Sequence, residues 1–517
     1  MKKLLLIVLF IVLFFANHTR AQDSLDNNNA LPENLNRGFY IEKPLKVYRF
    51  NPADLRLWQH GDFSSIGVSG KYDEGNFKTV DEFDKNEQLS VKTESVQSLK
   101  ESNWKFYGNF TMSVSRHDNA MWNLGYHKSK IGSPFRLLIQ RMGDFNVKHY
   151  GLQGIANKKL NEKISIGLGI KYRGDLYFRV SDTRNEFYTL TSEFSGAINY
   201  ALGDNKYLSL GASYFYRKGQ PNFNNEFKTN GPEYYLYFNE GLGDFNDFSI
   251  DSRHYWKNQN PKYYVSFFTG DKNKFSISYS GFFGEEKWEN KITSTLVQNA
   301  KDLYKYEYFE NKLLTSHYIS KEAYKLFNFI ESVYISGTGY KNTGVFQKTY
   351  NYEGLDINSS SELIRPQADL FYRSSMDFFF ESKSKKDMVY AHQIDYTNLS
   401  VKLKTGYRKQ FNPLNALALD LEFLYKQNIN FTHNVVSAGS KPYTLNLAYN
   451  EVAYHAADFY QIGGDITWFK KVKKMGLEFK LGYKLINPAN IPVSNNYSTI
   501  NTDTQREYLE TSLEIYF

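Results

Sequence analysis

The sequence has no cysteine. Disulfides, thiolate nucleophiles, thiolate metal sites and acylation at a cysteine are excluded together, so an exported chain of this kind stands without covalent staples. A second long apolar run is also missing after the N-terminal one, and mean hydropathy is negative at −0.56. Crossing a bilayer by a bundle of helices is thereby excluded. A concentrated charge of one sign is lacking too. The formal charge is +8 in 517 residues, and Lys2, Lys3 and Arg20 would leave with the first segment, lowering it by three. A mild excess spread along the chain does not make the dense basic patch that nucleic acid demands, but it suits a phosphate-rich lipopolysaccharide surface.

Aromatic residues, by contrast, are abundant: 42 Tyr and 41 Phe in a chain that is 17% aromatic. Membrane barrels have this composition, because only alternate residues touch lipid and aromatic rings collect at both interfaces. The first segment, MKKLLLIVLFIVLFFANHTRA, has two lysines, an apolar run from Leu4 to Ala16 and small residues before Gln22. It reads as a secretory signal cut near Ala21, since the run is shorter than the roughly 20 residues needed to span a bilayer. The expected organisation is a signal over 1–21, a periplasmic N-terminal segment over 22–62 and an outer-membrane barrel over 63–517.

The stretch WKFYGNFTMSVSR places Trp104, Phe106, Gly108, Phe110, Met112 and Val114 on one face and Lys105, Tyr107, Asn109, Thr111 and Ser113 on the other. Successive strand side chains point to opposite faces, so this is a strand with one apolar side. The pattern recurs at Ile164–Tyr172, Leu190–Leu202, Leu208–Tyr216, Leu417–Tyr425, Met475–Leu485 and Leu509–Phe517, and none of these apolar faces carries a charge. A soluble sandwich would show the same alternation. The links between strands separate the two cases: short ones near 160–162, 203–205, 270–273, 411–414 and 470–473 alternate with long polar stretches at 174–187, 218–261, 427–452 and 487–501. Short periplasmic turns alternating with long extracellular loops are the habit of outer-membrane barrels. The fold class expected is therefore all-β, a transmembrane antiparallel barrel of 16–18 strands, with 14 possible; the stretch from 300 to 395, where phases blur, sets the uncertainty in number.

With short links placed below, Tyr172, Tyr216, Tyr425 and Tyr483 fall at the upper boundary and Trp104 and Trp468 at the lower one, as two aromatic belts. The last strand places Leu513, Ile515 and Phe517 on one face and resembles the terminal signal read by the barrel-assembly machinery. Lys402, Lys404 and Arg408 share the interior face of one strand, and Asp420 and Glu422 that of the next. Facing rows of opposite charge create a transverse field that orients polar solutes; equally, they pair to stiffen the wall or pin an inward loop. Among motifs, GTGYKNTG at 337–344 lacks the Lys-Ser/Thr ending and following helix of a phosphate loop and reads as a barrel loop. His117 beside Asp118 and His455 near Asp458 are the histidine pairs that a hydrolase would use.

Signal, cleavage site, strands rich in Tyr, Asn and Lys, and terminal Phe together resemble the uncharacterised outer-membrane barrels of Bacteroidota, a family often associated with TonB-dependent uptake. Asp23-Ser24-Leu25 also resembles the three-residue O-glycosylation motif of exported proteins in that group. The N-terminal segment is too short for the plug of a conventional TonB-dependent receptor, although it or the 218–261 stretch has the length to fold inward. The function expected is a porin-like channel or uptake component for polar solutes. The alternatives are a non-conducting subunit of a larger secretion, barrel-assembly or uptake complex, or, third, an outer-membrane enzyme. No catalytic, cofactor or metal residues are assigned; the partners expected are outer-membrane lipid, lipopolysaccharide, the assembly machinery and other outer-membrane proteins.

Overall fold

Two-residue alternation becomes a wall of strands, because each backbone amide and carbonyl finds a partner next door while side chains divide between two faces. The structure, a computed structural model, describes residues 43–59, 61–124, 131–139, 141–180, 184–224, 236–242, 245–247, 253–271, 273–291, 300–367, 370–434, 450–473, 475–491 and 505–517. The expected signal and the Asp23-Ser24-Leu25 motif lie outside the described residues.

A short helix α1 (Lys43–Tyr48) and a 3-10 helix (Pro52–Leu57) precede β1 (Phe63–Gly75), β2 (Lys85–Leu99), β3 (Trp104–Ala120), β4 (Arg136–Ile139), β5 (Gly143–Lys159), β6 (Ile164–Arg179) and β7 (Arg184–Gly203). Then come β8 (Lys206–Asn224), β9 (Leu236–Asn239), β10 (Phe245–Asp247), β11 (Arg253–Thr269), β12 (Asn273–Lys291), β13 (Ala300–Ser320) and β14 (Lys325–Asn342). The series ends with β15 (Phe346–Gln367), β16 (Leu370–Asp387), β17 (Gln393–Asn412), β18 (Asn415–Asn434), β19 (Asp458–Val472), β20 (Met475–Asn490) and β21 (Arg506–Tyr516). Eighteen of these strands form one antiparallel sheet, each paired with the next along the chain, and β21 returns to pair with β1. Closure leaves no edge, which is what a sheet in lipid requires. The other three, β4, β9 and β10, form a separate small sheet.

The faces divide as the alternation dictates. On β3, Phe106 and Phe110 are 37% and 39% exposed, whereas Tyr107 between them is 2% exposed and lies inside. Leu168, Phe194, Leu210, Leu421 and Phe479 are likewise exposed on the outer face. An apolar exterior around a polar interior is the inverse of a soluble sandwich and the build of an outer-membrane barrel.

At one end every link has four residues or fewer, at 100–103, 160–163, 204–205, 270–272, 321–324, 368–369, 413–414 and 473–474, whereas the other end mixes long links with short ones at 180–183 and 343–345. The other end differs from expectation in one respect. The polar stretch 174–187 is mostly strand, since β6 continues to Arg179 and β7 begins at Arg184, and β8, β11, β18 and β20 extend into the other three long stretches. Polar composition marked contact with water rather than irregular backbone: β15 alone has 22 residues, about twice the 9–11 needed to cross a membrane. The wall therefore rises well above the apolar band. The 337–344 stretch follows the same rule, forming the upper part of β14 and its turn.

Candidate functional site

The bore of the barrel is filled from the short-turn end by the chain that precedes β1. Pro52 pre-sets the first turn of the 3-10 helix and Asn51 caps it, its side chain accepting a hydrogen bond from the Ala53 amide at 3.2 Å. This helix lies against β5–β8. Asn157 donates to the carbonyls of Pro52 and Ala53 at 3.3 and 3.0 Å. Gly167 permits the approach, because a Cβ there would fall 2.4 Å from the Pro52 backbone. Asp54 is fully buried and accepts a hydrogen bond from Ser209. Burial pushes its carboxyl up to about 7 from the usual 3.8, while Ser209 and Ser266 pull the other way.

Helix α1 presents its apolar residues to the opposite wall. Leu45, Val47 and Tyr48 pack with Phe268, Leu314, Phe327, Phe329 and Ile364, and Tyr48 stacks on Phe268 at 5.7 Å between centroids. Three cations of the same segment reach carboxylates on the wall. Lys43 pairs with Glu362 at 2.5 Å, Lys46 with Glu331 at 2.6 Å, and Arg49 with Glu94 at 3.6 Å while donating to the Tyr107 hydroxyl at 2.7 Å. Each of these carboxylates also holds a cation of the wall itself: Arg373 at Glu362, Lys312 at Glu331 and Lys92 at Glu94.

The interior charges read from the sequence converge in one network across β17–β20. Glu422 binds Lys402 and Lys484, each at 2.9 Å, and accepts from Gln461 at 2.8 Å. Asp420 binds Arg408 through two contacts of 2.8 and 3.0 Å, and Lys404 turns to Asp465 at 3.1 Å. Asp465, Lys480 and Lys484 complete the set, Lys480 lying 3.5 Å from Asp465, and which of them meet follows only from the strand register. Tyr172, Tyr425, Tyr483 and Trp468 are exposed outward, and Tyr216 and Trp104 are half-buried on the same outer face. Leu513 also faces out, Ile515 is buried, and the Phe517 amide donates to the Ser64 carbonyl at 3.0 Å where β21 meets β1.

The long-loop end is closed by different chemistry. The β4–β9 pair sets Leu137 opposite Phe238, and this side packs on inward aromatic residues of the barrel. Phe238 stacks on Tyr304 at 4.4 Å and meets Trp288 edge-on at 5.0 Å, with Phe135, Tyr306, Tyr350 and Tyr352 in the same cluster. Polar ties fix the edges: Ser133 donates to Glu286 at 2.8 Å, Lys341 to Glu240 at 2.8 Å, and the Leu242 amide to Asp387 at 3.2 Å. Part of the 218–261 stretch thus folds inward, as does residue 131–139 from the link after β3.

The two histidine pairs do not converge. His117 stacks on Phe83 at 4.2 Å while Asp118 takes Arg116, and His455 stacks on Tyr396 at 4.3 Å while Asp458 caps the Asn428 amide at 2.7 Å. Among the described residues, no group of three or more His, Asp or Glu is placed to hold a metal.

A closed eighteen-stranded barrel whose bore is occupied from both ends defines the class. The chain belongs to DUF6850, a family of unknown function, whose model matches residues 52–517. That match begins at Pro52, so it includes the 3-10 helix of the inward segment but not α1 or the cations Lys43, Lys46 and Arg49. No curated protein matches the chain. Solved structures similar to it include the ferric yersiniabactin uptake receptor FyuA of Yersinia pestis, at 9% identity and a TM-score of 0.44, covering 88% of this chain and 80% of that one. The ferric preacinetobactin receptor BauA of Acinetobacter baumannii is similar at 11% identity and a TM-score of 0.38, with the same coverage.

Proposed function

We propose that this chain is an outer-membrane uptake component for polar solutes whose bore is gated by its own N-terminal segment. The observation that carries the reading is the wall behind the 3-10 helix: Asn157, Ser165, Asn199, Ser209 and Ser266 face the bore, all buried. A wall meant to hold a permanent core would be apolar there; hydroxyls and amides suit a surface that water wets when the segment leaves. The cations that hold the segment rest on carboxylates already served by wall cations, so departure leaves no carboxylate unpaired. In this reading, export uses the 1–21 signal cut near Ala21, the assembly machinery recognises Leu513, Ile515 and Phe517, and lipid and lipopolysaccharide surround the aromatic belts. Bacteroidota origin fits the same picture. The paired charges of β17–β20 stiffen the bore beside the segment, and no catalytic role is assigned.

Closure at both ends favours one second reading, a non-conducting subunit of a larger outer-membrane complex. Planar-bilayer conductance separates the two. The full chain is expected to be silent, because the loop-end pack closes the bore as well, and steady openings are expected when Lys43→Gln, Lys46→Gln and Arg49→Gln are combined with Phe238→Ala at that pack. Silence from the variant, with proteolysis showing its segment undocked, would overturn the conducting reading.

A further inference from the structure

The outer wall is not uniform. On β18 the residues facing out from the short-turn end are Leu417, Leu419, Leu421, Phe423 and Tyr425, and on β20 they are Leu477, Phe479, Leu481, Tyr483 and Leu485. The same stretch of β13–β15 reads differently. Inward residues such as Leu314, Glu331 and Glu362 are buried, so the outward set on β14 is Leu326, Asn328, Ile330, Ser332, Tyr334 and Ser336. On β13 it includes Asn311 and Thr315, and on β15 Ser359 and Ser361. The register sets Asn328 between His317 and Ser361 and places Thr315 and Ser359 on either side of Ile330, so these polar groups adjoin across three strands, with Ser332 above them between Leu313 and Ile357. Ile330 and Tyr334, exposed at 44% and 38%, lie between them. Apart from Ser336, all lie within about ten residues of the short turns, the length that crosses the hydrocarbon.

Lipid tails offer no hydrogen bonds at that depth, and headgroups stay at the rims. Two pairs are partly satisfied within the wall: Ser361 donates to Asn328 at 2.8 Å, and Tyr279 to Asn311. We infer that this patch is a membrane-buried interface with a second copy of the chain, an inference that rests on the barrel spanning the outer membrane. The choice of occupant follows from the chemistry. Amides and hydroxyls both donate and accept, so the patch matches its own image about a two-fold axis, with His317 within it and Arg365 at its rim beside the short turn. Serine is small enough to let two walls approach, and Ile330, Tyr334 and Ile357 supply packing. Above the band the same face carries both signs, with Lys305 bound to Glu307 at 2.7 Å and Glu353 exposed nearby. That mixture is again compatible with itself.

The absence of cysteine makes the test direct. In native outer membranes, Ser332→Cys and Ser359→Cys chains treated with a short bis-maleimide are expected to give a cross-linked band of twice the chain mass. Leu421→Cys on the far wall is expected to give none. An Asn328→Leu, Ser332→Leu, Ser359→Leu variant, better suited to lipid, should keep heat-modifiable gel mobility and shift the dimer–monomer ratio at least tenfold toward monomer after gentle extraction. Absence of the doubled band at both patch positions, or its replacement by an adduct with a different protein, overturns the inference. Lost heat-modifiable mobility in the unsubstituted chain would instead remove the membrane-barrel reading beneath it.

Discussion

The two closures of the bore mix charge and apolar packing in different proportions: α1 also packs Leu45, Val47 and Tyr48 on the wall, and the loop end also carries the Lys341–Glu240 pair. At the short-turn end, a segment of the chain lies on an amide and hydroxyl wall, tied by Lys43, Lys46 and Arg49 and carrying one fully buried carboxyl. At the loop end, Phe135, Leu137 and Phe238 are packed among ring faces of Trp288, Tyr304 and Tyr350. Contacts of the first kind weaken with salt and pH, because charges hold them. Those of the second do not, since apolar burial is indifferent to both at these ranges. The difference marks the lower closure as the one that can be released.

The strongest way to break the comparison is steric. Gly167→Val would set its Cβ and both methyls into the Pro52 backbone, where one Cβ already falls at 2.4 Å. The strand itself accepts valine, so the expected outcome is a folded barrel with the 3-10 helix undocked at every pH. Protease cleavage within 43–58 should become fast while the barrel stays resistant; an unchanged cleavage rate would show that the segment does not rest where Gly167 admits it.

Next in size is the titration of Asp54. Its docked value lies near 7, above the ordinary 3.8, so the proton stabilises docking. That contribution is complete below about 3.8, declines through the interval and is gone above about 7, a span on the order of 4 kcal/mol. Protease cleavage within 43–58 should therefore increase as pH rises toward and past 7. Asp54→Asn keeps a neutral side chain in place and should flatten that dependence. Tyr48, the titratable side chain nearest in influence, is pushed up to about 12 chiefly by burial and then by Asp54, so it stays neutral across the range and cannot supply the same profile.

What the sequence made legible follows the same division. Lipid imposes a period of two and forbids charge, so the face from Phe106 to Val114 and a barrel of 16–18 strands, with 14 possible, were readable from alternation and turn spacing alone. Between 300 and 395 the signal faded for a physical reason: Asn311, Asn328, Ser332 and Ser359 occupy outward positions, and alternation disappears when both faces are polar. The upper walls were read as loops because composition reports water and not backbone shape. Lys402, Lys404, Arg408, Asp420 and Glu422 were recognisable as interior, but their partners Asp465 and Lys484 depend on a register that no local pattern states. KPLKVY and PADLRL carry nothing that distinguishes a segment beneath the barrel from one inside it.

The remaining tests sharpen the contrast at small amplitude. At the upper closure, Phe238→Leu removes ring contacts with Tyr304 and Trp288 while nearly conserving volume. A cost of about 1 kcal/mol, the same at every pH and salt concentration, is expected from thermal unfolding monitored by near-ultraviolet circular dichroism.

At the lower closure, Lys46→Ala removes one of three ties. Its side chain is 44% exposed, so the pair with Glu331 is well screened, and Lys312 remains on that carboxylate. The loss should be about 0.5 kcal/mol in dilute buffer and vanish in high salt. Lys46 also lies 4.9 Å from the Phe329 ring centroid, a contact that adds less salt-sensitive attraction. Comparing cleavage rates of the segment in low and high salt therefore separates the two: a deficit that closes with salt assigns the tie to Glu331, and one that persists assigns it to the ring and makes this end less ionic than its charges suggest.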